Sequence, residues 1–149
     1  MNIYFICTGN TCRSPMAEAI LRSKVGEGIA VKSAGVNAFD GMSISTNSKT
    51  LIEEKNMPYT STSRAVTTDD LEWADLVLTM TSSHKAILLQ SFPNIESKTF
   101  TLKEYVTPEA YPDVQDPYGG NLKTYRATFE ELNEVIDGLV RKFSQGRES

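Results

Sequence analysis

Hydrophobic and polar positions fall into blocks that read as strand, helix, strand from the first residues onward. Ile3-Tyr4-Phe5-Ile6 is an uninterrupted apolar run of the length of a buried strand. Residues 15–25 then place Met16, Ala19, Ile20 and Val25 on one helical face and Glu18, Arg22 and Lys24 on the wet one. Gly26 and Gly28 close that helix, and residues 29–34 make a second strand stopped at Gly35. A strand–helix–strand unit crosses over right-handed, so the two strands are expected as parallel neighbours. Ser33 and Gly35 then share the carboxyl edge of the sheet with Cys7. There Ser33 either braces the adjoining loop through Asn10 or serves the strand-end turn.

The pattern continues in the same style. A helix over roughly 46–56 turns Leu51 and Ile52 inward, and residues 59–64 read as a connection. Thr67-Thr68-Asp69-Asp70 caps a short helix carrying Leu71 and a packing residue, Trp73. Residues 75–80 form a third, central strand, and Ser82 or Ser83 caps the helix after it. His84 lies in that first turn among polar residues and, with no matching partner in the sequence, is assigned to the surface. Residues 98–102 make a fourth strand, followed by a turn or short helix at 103–106. The turn formers of residues 107–120 must be loop, past the end of that strand and near its active edge. From Leu122 the apolar residues recur at 125, 129, 132, 136, 139 and 143, the steps of a long amphipathic helix. Residues 144–149 are polar and expected to fray.

Four strands separated by helices predict an α/β protein with a parallel sheet, and 149 residues suit a single domain spanning 1–149. Composition adds exclusions. A 40% hydrophobic and 23% charged chain is ordinary for a soluble globular protein. A net charge of −4 argues against binding nucleic acid through general electrostatics. No long apolar run suggests a membrane span, and the start of the chain reads as a strand and not a signal peptide. Two cysteines and one histidine cannot make a usual structural zinc site without carboxylates, and a reduced, cytoplasmic setting is the simplest reading.

Chemistry concentrates in the turn that leaves the first strand, Cys7-Thr8-Gly9-Asn10-Thr11-Cys12-Arg13-Ser14. Five residues between Cys7 and Arg13 suffice to curl successive backbone N–H groups into a bowl opening on a helix N-terminus, which attracts an oxyanion. Arg13 adds a planar fork for phosphate. Cys7 at the bottom of the bowl is expected as thiolate, below the free value of about 8.5, and in line for attack on phosphorus. Ser14 reads as the helix N-cap before Pro15, and also as a hydrogen-bond donor to the thiolate. The bland alternative is a buried cysteine ending a strand beside a solvated arginine.

A cysteine–phosphate intermediate needs a proton for the departing atom and a base for water. Asp116, followed by Pro117 and Tyr118, is the better candidate, and Asp113 competes. A turn role is open to both. Tyr118 could wall the pocket and limit water access to the carboxyl group. Phe39, in the loop at 36–45, is a second candidate aromatic wall, with buried packing as its alternative.

Together these residues resemble the low-molecular-weight protein phosphatase family. The resemblance rests on residues 7–18, on Ser33-Ala34-Gly35 and on Asp116-Pro117-Tyr118-Gly119-Gly120, and so covers essentially the whole chain. It implies a four-stranded parallel sheet of order 2-1-3-4 with helices on both faces. It also implies a two-step hydrolysis that uses no metal or other cofactor. Cys7 would be nucleophile, Arg13 would hold the phosphoryl group among the loop residues Thr8, Gly9, Asn10, Thr11 and Cys12, and Asp116 would be acid and then base. Cys12 resembles the family's redox partner, able to trap oxidised Cys7 as a disulfide; packing inside the loop is its alternative.

Two departures bear on substrate. Thr11 stands where tyrosine phosphatases of the family usually carry Ile or Leu, and Gly119 where a second aromatic is frequent. A small polar rim suits a guanidinium better than a phenyl ring. The chain therefore looks most like the protein-arginine phosphatase branch of Gram-positive bacteria, a likeness that includes residues 100–106. That branch implies phosphorylated protein substrates and opposition to a protein-arginine kinase in stress response. Phosphotyrosine is the runner-up, since both branches share every catalytic residue. Arsenate reductase would need further cysteines after Cys12, and none follows. A phosphocysteine carrier would need neither Arg13 nor Asp116, and a phosphate-binding module would tolerate Cys7→Ser.

Overall fold

The computed structural model describes residues 1–148, with side chains described through residue 145. Strand β1 (Asn2–Cys7) runs into helix α1 (Arg13–Lys24), and the chain returns through β2 (Ala30–Gly35). Helices α2 (Thr46–Glu54) and α3 (Thr68–Trp73) precede β3 (Leu76–Thr79) and α4 (Ser82–Ser91). A 3-10 turn at Pro93–Lys98 leads into β4 (Thr99–Thr101), α5 (Leu102–Val106) and the long α6 (Leu122–Glu148). The sheet has the order β2-β1-β3-β4 and every pairing is parallel. In β1, alternate side chains face opposite layers, as the strand period requires. Ile3 and Phe5 join the core beneath α1 and α6, while Tyr4 and Ile6 join the smaller core beneath α3 and α4. Helices therefore cover both faces.

The stripe on α6 behaves as its periodicity predicts: Tyr125, Phe129, Leu132, Ile136, Leu139 and Phe143 are all buried. Burying each such side chain contributes about 1.5–3 kcal/mol. The Lys24–Asp137 ion pair that also ties α1 to α6 is partly exposed, and such pairs contribute about 0–1 kcal/mol. Apolar packing, not charge, docks α6.

Four local expectations change. Helix α1 begins at Arg13, so Ser14 is its second residue and not its cap, and Cys12 precedes the helix without a side-chain capping bond. Glu18 is not on a wet face; it is buried, because hydroxyls and Arg22 surround it. The cap of α4 is Thr81, whose hydroxyl accepts from the His84 amide; Ser82 and Ser83 lie inside the helix. Helix α6 continues through residues 144–148, where fraying was expected, and Ser149 lies outside the described residues. No described helix is long and apolar enough to cross a membrane.

β1 is central and ends at the carboxyl edge, where Cys7 pairs with Gly35 across the sheet. The loops after β1, β2 and β3 therefore meet at one edge. Parallel α/β sheets open their binding crevices there.

Candidate active site

The loop after β1 is held from beneath by main-chain bonds. Val36 N–H donates to Cys7 O and Asn37 N–H to Thr8 O, each at 2.9 Å. The approach is so close that a side chain at Gly35 would collide with the Thr8 carbonyl and the Asn10 amide. Asn10 adopts a left-handed backbone with φ of 55°, a conformation short polar side chains tolerate best after glycine. Its amide side chain is pinned: Oδ1 accepts from Arg64 N–H at 2.8 Å, which leaves Nδ2 to donate. Nδ2 gives one hydrogen to Ser14 Oγ at 2.8 Å and one to Ser33 Oγ at 2.9 Å. Ser33 in turn donates to Glu18 Oε1 at 2.9 Å, and Thr60 donates to Glu18 Oε2 at 2.8 Å.

The direction of these bonds decides what Ser14 offers Cys7. With a lone pair already engaged by Asn10, the Ser14 hydroxyl is free to donate to Cys7 Sγ, 2.8 Å away. The Asn10 N–H adds a second donor at 3.3 Å. Cys7 is buried, and burial pushes its thiol up; Ser14, the Asn10 amide and Arg13 pull it back without cancelling that rise. The expected net lowering is thus reversed, because taking the sulfur out of water outweighs the donors around it.

Arg13 is buried and bridges two loops. Its guanidinium donates to Val114 O at 3.0 Å and stands 3.7 Å from Asp116 Oδ2. Val114 N–H is itself tied to Met80 O after β3, at 2.8 Å. Asp116 is further oriented by Tyr118 N–H, which donates to Oδ1 at 3.0 Å. Cys7, Thr8, Gly9, Thr11, Cys12, Arg13, Asp116 and Tyr118 line one cavity of about 260 Å³.

The model of the family "Low molecular weight phosphotyrosine protein phosphatase" matches residues 2–148. The chain belongs to this family. A protein-arginine-phosphatase from Geobacillus stearothermophilus is 44% identical over 140 residues, covering 94% of each chain. A low molecular weight protein-tyrosine-phosphatase, PtpB, from Staphylococcus epidermidis is 38% identical over 142 residues, covering 95% of this chain and 99% of the relative. Among solved structures, a Cys-to-Ser mutant of the arginine phosphatase YwlE, with a phosphorylated active-site serine, superimposes with a TM-score of 0.93. It is 40% identical and 99% of each chain is covered.

Within this family frame, the separate sequence stretches converge as expected, with exceptions. Phe39 is 77% exposed and lines no part of the cavity, so it is neither pocket wall nor core. Tyr118 does line it, but is 81% exposed, and the Asp116 side chain is 57% exposed. The tyrosine stands at the rim and does not seal the carboxylate from water. Asp113 is occupied elsewhere: its Oδ1 accepts from Ser82 N–H and Ser82 Oγ–H, both at 2.8 Å. It tethers the Asp116 loop to the start of α4. Cys12 and Cys7 are free thiols on the same cavity, and Cys12 Sγ lies 3.3 Å from Tyr125 OH. Burial, then that contact, pushes the Tyr125 phenol up to about 12.

His84 is the largest departure. It is buried, and its Nε2 lies 2.7 Å from Thr8 Oγ1. No spacing rule could reveal a contact across 76 residues. Glu18, four residues before Arg22, did carry a pairing signal, but a helical wheel alone reads such a pair as a surface one.

Proposed function

We propose that the chain is a cysteine-dependent protein-arginine phosphatase working through a phosphocysteine intermediate. One observation carries the reading: Cys7, Arg13 and Asp116 meet in a single cavity with Thr11 on its wall. The backbone amides of the loop and Arg13 would hold the phosphoryl oxygens. Cys7 attacks phosphorus as the thiolate, the form that Ser14, the Asn10 amide and Arg13 favour against burial. The S–P bond forms as the P–N bond breaks, and Asp116 in its acid form gives its proton to the departing guanidine nitrogen. In the second step the Asp116 carboxylate takes a proton from water. The resulting hydroxide-like oxygen attacks phosphorus, the S–P bond breaks, and inorganic phosphate leaves. Ser14 donates to the sulfur as it departs, which makes it a better leaving group. The relatives named protein-arginine-phosphatase support the substrate class. By that class, the enzyme would reverse a protein-arginine kinase, in the cytoplasm.

A second reading, phosphotyrosine, is favoured by the exposed Tyr118 ring at the rim and by the relative named as a tyrosine phosphatase. Matched phosphoarginine and phosphotyrosine peptides, tested on wild type and Thr11→Ile, separate the two. The expected result is a wild-type preference for phosphoarginine that shifts by about tenfold or more toward phosphotyrosine on substitution. A wild-type preference for phosphotyrosine overturns the arginine assignment and leaves the phosphatase reading standing.

A further inference from the structure

The two chemical steps above make no use of His84, the single histidine of the chain. It is buried in the first turn of α4, and its Nε2 contacts the hydroxyl of Thr8, a residue of the cavity wall. Its Nδ1 is buried with no hydrogen-bond partner among the described residues. A neutral imidazole carries one N–H and one bare nitrogen. Buried donors left unpaired are rarer than buried acceptors left unpaired, so the proton belongs on Nε2. The charges facing the ring agree. Burial and then Arg13 hold the imidazole down to about 4, against the opposing pull of Asp113 and Asp116, so it stays neutral near pH 7.

An Nε2–H donating to Thr8 Oγ1 occupies a lone pair of that hydroxyl and leaves its proton for another partner. Thr8 is exposed, lines the cavity, and has no second side-chain bond among the described residues. We infer that His84 is a positioning residue: by donating to Thr8 it turns the Thr8 hydroxyl proton into the cavity, where it becomes a further donor to a phosphoryl oxygen. Thr8 thereby joins the backbone amides and Arg13 as a binding group. This inference rests on the reading of the cavity as a phosphoryl site.

The test is inhibition by inorganic phosphate of para-nitrophenyl phosphate hydrolysis, in wild type, Thr8→Val, His84→Ala, His84→Gln and the double variant Thr8→Val/His84→Ala. A hydrogen bond to a charged group predicts that Thr8→Val and His84→Ala each weaken phosphate inhibition about tenfold. The double variant should be no weaker than either single one, because both remove the same donor. His84→Gln, which keeps an N–H near the same place, should restore most of the affinity. Wild-type-like phosphate binding by Thr8→Val overturns the inference, as do effects of Thr8→Val and His84→Ala that add in the double variant. Thr8→Val is near-isosteric at an exposed position, so that arm holds even if His84→Ala does not fold. A wild type that neither hydrolyses the ester nor binds phosphate overturns the phosphatase reading itself.

Discussion

Cys7 sits where two opposed effects meet on one sulfur atom. Burial favours the thiol, and the donors Ser14 Oγ–H and Asn10 N–H favour the thiolate. Removing Ser14 takes away a donor and leaves the burial intact, so Ser14→Ala should push the Cys7 thiol further up. The expected outcome is alkylation of Cys7 by iodoacetamide near pH 7 that is slower by about tenfold, the effect of a pKa rise of roughly one unit. An alkylation rate equal to wild type would mean that the 2.8 Å contact does not stabilise the thiolate. The motif did announce Ser14 as a partner of Cys7. What it could not announce is the orientation of the hydroxyl, which follows from Asn10 donating to it from one side.

At the scale of elements, the site depends on how closely the β1 loop lies on the end of β2. Gly35 is the contact point, since a methyl group there would meet the Thr8 carbonyl and the Asn10 amide, both main chain and unable to swing aside. Gly35→Ala should destabilise the fold by about 1–3 kcal/mol, the usual range for overpacking, and depress turnover as well. Urea unfolding beside turnover measures both, and unchanged values in the two would show that the loop accommodates the methyl freely. The Ser33-Ala34-Gly35 stretch was visible in the sequence as a strand end. That its glycine matters through the loop of another strand was not, because the clash arises only from the register Cys7 to Gly35.

Across the whole molecule, His84 ties stability to pH. Its imidazole is held down to about 4, first by burial and then by Arg13, against about 6.5 for a free histidine. As pH falls below about 6.5 the unfolded chain takes up a proton that the folded one refuses until about 4. Stability present above about 6.5 is therefore lost as pH falls to about 4, to a total of about 3 kcal/mol from this group. Urea unfolding at pH 7 and pH 4 should show His84→Gln losing less than wild type by that amount. Equal losses would place the acid sensitivity in other groups.

The sequence by itself determined the element order, the parallel strands and the loop motif. Each is written in short-range patterns: apolar runs for buried strands, three- and four-residue steps for α6, and five residues between Cys7 and Arg13. Only the tertiary structure decided the surroundings of those residues. Glu18 and His84 look solvated along the chain and are buried, because Ser33, Thr60 and Thr8 arrive from 15, 42 and 76 residues away to satisfy them. Phe39 reads along the chain as a wall or a packing residue and stands in solvent, away from the cavity. Periodicity reports which way a side chain points from its own element. Which group meets it there depends on how distant elements pack, and that decided how Cys7, Thr8 and Ser14 are set.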